Sequence, residues 1–226
     1  MIVYIADIND FDAQFFCDAQ KLLPKRKIEE VQKITHETSR HETVLVWTLL
    51  RFALSKKGIS VFPLLSFSER GKPFFEADNL FFNLSHSKGK VCAVISAVGE
   101  TGVDIQKKST FSKNMKERVF NDSECLLGKK QPDESAFFTR LWAIKESYLK
   151  TTGTGIAFDI RSLDFSKQCL FDCFEKDGLF YSVLTEGEFA ISVCSVEKGM
   201  PEFRTLSPEV LKEYCLTVVK TAKGEV

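Results

Sequence analysis

The chain has 226 residues, with 31 basic and 31 acidic side chains and three histidines. That length allows one large domain or two small ones with a sizeable core, and zero net charge excludes a surface built throughout for nucleic acid. Seven scattered cysteines without a CxxC pair suit a reduced, cytoplasmic protein rather than a disulfide framework.

The start, MIVYIADINDF, has no basic head followed by a long apolar run, so no signal peptide is expected. No later segment has the length and apolarity to span a membrane. Residues 2–5 read as a short buried strand. Pro24 opens a helical stretch with apolar Ile28, Val31 and Ile34. A second helix is predicted over 40–57, apolar at Val44, Leu45, Trp47, Leu50 and Leu54, and stopped by Gly58. Strands follow near 65–67, 80–84 and 91–98, with a turn at Arg70-Gly71-Lys72-Pro73. Gly99 and Gly102 precede a short strand, 103–105. Helical segments are expected near 112–119 and 123–127. Asp133 is the expected N-cap of a helix over 134–151, stopped by Gly153 and Gly155. Strands near 161–165, 169–174, 179–185 and 188–196 precede a last helix, 208–221. The 21 phenylalanines, many in FF doublets, read as core filling. Helices mixed with short-connected strands predict an α+β fold, joined near Gly99–Gly102.

Three stretches could carry chemistry. In LWAIKESYLK (141–150), Phe137, Leu141, Ile144 and Tyr148 align on one helix face, and Lys145 falls inside that apolar arc. The ordinary reading is that Lys145 snorkels to water and that Glu146 and Lys150 form a surface i,i+4 pair. The sharper reading is a cleft edge where a carboxylate holds a cation and lysines answer phosphate. In NLSHS (83–87), His86 follows a strand among Ser85, Ser87 and Lys88, read as a loop. It is either structural or a phosphate site. In GVDIQ (102–106), Asp104 and Gln106 share a strand face and could bind a hard cation, or could be polar positions of an edge strand.

In their order and spacing these motifs resemble the 4′-phosphopantetheinyl transferases, of the longer type first known for activating surfactin synthetase. The resemblance covers essentially the whole chain and includes the RGKP turn. It implies two similar α+β subdomains in one chain related by pseudo-twofold symmetry, with the active site between them. Residues 1–100 would form the coenzyme A-binding side and 101–226 the metal and catalytic side. A monomer would then suffice. The implied reaction moves the phosphopantetheine arm of coenzyme A onto a serine of an apo acyl, peptidyl or aryl carrier protein, releasing adenosine 3′,5′-bisphosphate. By similarity Glu146, Lys150 and His86 are the catalytic set, and Asp104, Gln106 and Glu146 hold Mg²⁺ or Mn²⁺. Coenzyme A would meet Ser85, His86 and Lys150 near its phosphates and Arg70, Gly71, Lys72 and Pro73 at the adenine. Lys27, His41 and Thr43 would take the 3′-phosphate, with Arg40 able to serve instead. Lys145 is expected to reach a carboxylate or a phosphate.

Two positions depart from the family. Gln106 stands where a second acid is usual, and Glu30 where a basic residue is expected. Phe111, Lys113, Met115, Lys116 and Arg118 form a mixed apolar and basic stretch, read either as a carrier-docking surface or as a solvated helix face. The alternative function is a non-catalytic relative that binds coenzyme A or a carrier protein as a scaffold. Less favoured are a nucleic-acid binder using KLLPKRK and GKK, and another coenzyme A enzyme such as an acyltransferase, which would leave Asp104 and Glu146 without a metal role.

Overall fold

The computed structural model describes residues 1–77, 79–155 and 159–223. The first half opens with β1 (Ile2–Asp7), α1 (Ala13–Gln20), α2 (Lys25–Gln32) and α3 (Glu37–Ser55). A small hairpin, β2 (Leu65–Phe67) and β3 (Pro73–Phe75), leads to β4 (Phe81–Ser87) and β5 (Lys90–Ser96). The second half runs β6 (Thr101–Lys107), α4 (Lys113–Val119), α5 (Asp122–Gly128) and α6 (Glu134–Thr152). It continues with β7 (Cys173–Lys176), β8 (Leu179–Glu186), β9 (Phe189–Ser195), β10 (Glu202–Thr205) and α7 (Pro208–Lys223).

The architecture is α+β, built as two halves of similar plan. Each has a four-stranded sheet, ordered β10-β1-β5-β4 and β6-β9-β8-β7. Each sheet is covered by one 19-residue helix, α3 or α6. The buried faces explain why strands such as β5 and β9 are runs of Val, Ile, Ala and Cys rather than alternating patterns. One core lies between α3 and the first sheet, around Leu45, Leu49, Tyr4 and Ala93. Another lies between α6 and the second sheet, around Phe138, Leu141, Ile144 and Tyr181. A third joins the sheets through Val3, Ile5, Cys92, Val94, Val103, Ile105, Ile191 and Val193. The chain crosses between halves at residues 97–100 and returns at its end. There β10 pairs parallel with β1, and α7 packs against α1.

The seam between the sheets is made by side chains. Strand β6 has a free edge, and β4 lies along it. Asn83 Oδ1 accepts from Val103 N at 3.1 Å, Ser85 Oγ from Ile105 N at 3.2 Å, and Ser87 Oγ from Lys107 N at 3.2 Å. Residues two apart on a strand share a face, so this polar triplet replaces a missing partner strand. NLSHS is therefore not a loop. The strand runs through Ser87, and a two-residue turn with positive φ at Lys88 and Gly89 returns the chain. Asn83→Ala would leave the buried Val103 N–H unpaired. Its expected cost is about 1–3 kcal/mol, read as a lower midpoint in thermal unfolding with secondary structure unchanged.

Several expected elements differ. Residues 160–162 form a 3-10 turn capped by Asp159, not a strand, and Phe165 then enters the core. The strand expected at 169–174 starts at Cys173. The Asp177-Gly178 turn, with positive φ at both residues, sets Lys176 opposite Leu179 and so fixes where pairing begins. Helix α1, only eight residues long, was not expected; it buries Phe15, Phe16 and Ala19, and Asp12 caps it by accepting from Phe15 N at 2.8 Å. Strands β3 and β10 are short and partly exposed, too weak for a pattern of alternation to reveal.

Candidate active site

Strands β4 and β6 and helix α6 converge on a cluster of charge. Asp104 is buried on β6. Its Oδ1 accepts from Lys150 Nζ at 2.6 Å and from Ser85 Oγ at 2.8 Å, while Oδ2 accepts from Gln106 Nε2 at 2.8 Å. Lys150 Nζ also donates to Ser85 Oγ at 2.9 Å and to Val103 O at 3.1 Å. Three motifs that are far apart in sequence thus meet in one hydrogen-bonded group. The close approach of α6 to β6 depends on Gly102. A Cβ there would strike Ser147 O and lie 2.6 Å from Thr151 N.

Glu146 stands one helical turn before Lys150. Burial raises its pKa above the ordinary carboxylate range, and the Asp104 carboxylate raises it further, while Lys150 opposes both. Two clefts meet at this residue. One, of about 280 Å³, is lined by Arg70, Gly71, Lys72, Pro73, Asn83, Leu84, Glu146, Leu149, Lys150, Gly153 and Gly155. It therefore joins the RGKP turn of the first half to the end of α6. Arg70 is anchored there by donating to Thr154 O at 2.7 Å, and Lys72 pairs with Glu100. The other cleft, of about 660 Å³, is more apolar and includes Met115, Arg118, Val119, Trp142, Glu146, Leu149 and Ile160.

The remaining expected residues lie elsewhere. His86 alternates with Ser85 and points to the other side of β4, where its Nδ1 is 3.1 Å from Glu42 Oε2. Glu42 is buried on α3 and also accepts from Gly89 N at 2.7 Å. Lys27, His41 and Thr43 line neither cleft. Lys27 pairs with Glu30 at 2.6 Å and lies over the Trp47 ring. His41 stacks on Phe16 at 3.8 Å. Burial lowers its pKa, Glu37 opposes this and Arg40 adds to it. Thr43 Oγ1 donates to Ser39 O within its own helix. Phe111 belongs to the core of the second half, so it is no apolar anchor, whereas Met115 is exposed.

Sequence reasoning did not find Glu42 or Glu124. Glu42 is hidden because it lies in the polar ETSRHET opening of α3, where an exposed carboxylate is the ordinary expectation. Glu124 had a signal, the N-x-x-E spacing of a capping box with Asn121, which the structure forms.

Among the described residues no three His, Cys, Asp or Glu side chains gather as a ready metal site. The donor set still fits a hard cation. Asp104 and Glu146 are two carboxylates served by one ammonium, and Mg²⁺ commonly uses one or two carboxylates with substrate oxygens and water. Gln106 here donates through nitrogen to Asp104, and its amide would have to turn over to ligate through oxygen.

Residues 100–219, more than half of the chain, match the family model of the 4′-phosphopantetheinyl transferase superfamily. The chain is similar to 4′-phosphopantetheinyl transferase Sfp of Bacillus subtilis (strain 168), with 31% identity over 142 residues, 60% of this chain and 62% of that protein. It is similar to 4′-phosphopantetheinyl transferase gsp of Aneurinibacillus migulanus, with 37% identity over 103 residues, 44% of this chain and 42% of that protein. Against 4′-phosphopantetheinyl transferase AcpT of Salmonella typhi, identity is 31% over 162 residues, 68% of this chain and 83% of that protein. The match thus spans less than two thirds of the Bacillus subtilis relatives' length. On the family match and on this breadth of identity, the chain belongs to the 4′-phosphopantetheinyl transferase superfamily.

Proposed function

We propose that this chain transfers the 4′-phosphopantetheine arm of coenzyme A to a serine hydroxyl of an apo acyl, peptidyl or aryl carrier protein. The observation that carries the reading is the Asp104–Ser85–Lys150 cluster beside Glu146, at the junction of a basic cleft and a more apolar one. Phosphoryl transfer asks a protein chiefly for positioning and for charge stabilisation. The serine Oγ forms a bond to the β-phosphorus of the pyrophosphate, and the bond to adenosine 3′,5′-bisphosphate breaks. Lys150, anchored by Asp104, meets the transferred phosphate and steadies the leaving oxygen. Glu146, whose pKa is raised, takes the serine proton directly or through a water. Arg70, Gly71, Lys72 and Pro73 receive the nucleotide end in the basic cleft. Ser85 fixes the Lys150 ammonium, and His86, held by Glu42 on the other side of β4, is assigned to phosphate oxygens outside that cluster. Lys27, His41 and Thr43, which line neither cleft, are assigned to the 3′-phosphate, so the nucleotide would have to extend beyond the basic cleft toward α2 and α3. Asp104 and Glu146, with Gln106, would hold Mg²⁺ or Mn²⁺, which supplies Lewis-acid charge neutralisation on the pyrophosphate.

The two halves, read as a coenzyme A-binding side (1–100) and a metal and catalytic side (101–226) whose β10 and α7 pack back onto the first, make a monomer sufficient. Seven free cysteines suit a cytoplasmic setting. No helix among the described residues is long and apolar enough to cross a membrane. Lys113, Met115, Lys116 and Arg118 are the docking surface for an acidic carrier. Charge reversal at Lys113 and Lys116 should raise KM for the carrier and leave that for coenzyme A unchanged. Equal effects on both would rule the docking surface out.

The deciding experiment is intact-mass analysis of apo carrier proteins incubated with the chain, coenzyme A and Mg²⁺. A gain of one phosphopantetheine arm is expected, and it should be lost with EDTA and in Glu146→Ala. Coenzyme A binding without modification of any carrier would favour the scaffold alternative, for which Gln106 is the motivating residue. Gln106→Glu is expected to stay active and to need less Mg²⁺, read from the metal dependence of the rate. A folded, inactive Gln106→Glu would count against this ligand set.

A further inference from the structure

The lysine inside the apolar arc of α6 does not snorkel to water. Lys145 and Glu124 are both fully buried, with Lys145 Nζ 2.7 Å from Glu124 Oε2. An ammonium has three N–H donors. The other two reach main-chain carbonyls, Val119 O at 3.0 Å and Ile160 O at 3.2 Å. Glu124 in turn accepts from Phe165 N at 2.9 Å and from Asn121 N at 3.0 Å. This pair of side chains therefore ties the end of α4, the start of α5, the 160–162 turn and the following segment to α6. Val119 and Ile160 both line the larger cleft, and Glu146, the very next residue, opens into it.

A buried ion pair is a weak device for stability, because desolvation offsets the attraction, and apolar residues of similar volume often serve as well. Apolar residues cannot hold two carbonyls at defined points. That capacity is what the lysine adds. Its network includes none of the residues Arg70–Pro73 or Lys150, which line the basic cleft.

We propose that Lys145 is a positioning residue that, through Glu124, Val119 and Ile160, holds the wall of the larger cleft in register with Glu146. This rests on the transferase reading and adds that the cleft beside Glu146 must be held rigid for the step to occur. Misplacement of a reacting group by about 1 Å can cost on the order of 100-fold in rate. Loosening this wall should therefore lower kcat and spare coenzyme A affinity.

The test is the double replacement Lys145→Met with Glu124→Gln, which removes both charges and leaves neither buried alone. Wild type and variant are compared by circular dichroism, by the Kd for coenzyme A from calorimetry, and by kcat on an apo carrier. The expected result is a native spectrum, a Kd within about twofold, and kcat lower by about tenfold or more. A folded variant whose kcat stays within about twofold of wild type overturns the proposal. So does a parallel loss of coenzyme A affinity, which would mark general loosening. If the double variant does not fold, Lys145→Arg decides. Its planar guanidinium keeps the charge but cannot aim three donors at the same three acceptors. The same loss of kcat with unchanged Kd supports the role, whereas full activity, or failure to fold here too, reduces Lys145 to a core residue. A wild-type chain that binds coenzyme A but modifies no carrier sinks the transferase reading and this inference with it, before any variant is compared.

Discussion

Glu146→Gln is expected to abolish transfer, by about 100-fold or more on the scale of general-base and charge-stabilising losses, without loss of stability. The sign follows from the raised pKa. A carboxyl whose pKa is higher in the fold than in the open chain binds more protons when folded. Stability then falls as pH rises above the ordinary carboxylate range, because the fold must carry a charge it disfavours. The neutral isostere removes that burden at neutral pH. Glu146→Gln should therefore unfold at the same or a higher temperature than wild type at pH 7, and the two should converge at low pH, where Glu146 is protonated. Thermal unfolding of the metal-free protein at several pH values, beside a transfer assay with Mg²⁺, checks both halves. A variant that loses activity and stability together would make Glu146 a structural residue and remove the argument for its chemical role.

Gly102→Ala is expected to damage both fold and site, although the position carries no charge. The backbone of β6 presses on α6 there, and an added methyl would meet Ser147 O together with the nitrogen and hydroxyl of Thr151, both at 2.6 Å. Two of the three are main-chain atoms in the last turns of the 19-residue α6, so the strain cannot be relieved by one side chain turning aside. Overpacking of this kind typically costs about 1–3 kcal/mol. At roughly 2–4 °C per kcal/mol for a domain of this size, the loss is easily measured. The same displacement would pull Lys150 from Asp104, now 2.6 Å apart. Activity should therefore fall more steeply than stability at a temperature where the variant remains folded. Wild-type activity in the folded variant would mean that the contact between β6 and α6 does not set the Asp104–Lys150 geometry.

These two residues also mark how far the pattern of residues could be read. GVDIQ showed Asp104 and Gln106 on one strand face, and the structure joins them by a hydrogen bond. The glycine looked like punctuation before a strand, and its place against α6 became visible only with the helix packed. The periodicity of α6 located Lys145 inside an apolar arc, where snorkelling was the ordinary expectation. The partner that cancels that expectation lies 21 positions back, across a different helix, and no periodic signal spans such a gap. NLSHS read as a loop rich in donors. Its alternation was instead the mark of a strand whose polar face closes the edge of another sheet. Lys27 and His41 were expected to meet phosphate, and a ligand there would have to share or displace the Glu30 pair and the Phe16 stack that the fold gives them.

Hydrophobic spacing and turn residues were enough to draw the long helices, most of the strands and the α+β class, because these depend on contacts between near neighbours in the chain. Family motifs pointed to Asp104, Glu146 and Lys150, which the fold brings together. Packing alone established which side of each strand faces which neighbour. It set Ser85 toward Lys150 and His86 toward Glu42, and it buried Lys145 against Glu124. Local propensity cannot encode those pairings, since the cost of burying a polar group is settled by the partner it finds, and that partner is supplied by a distant part of the chain.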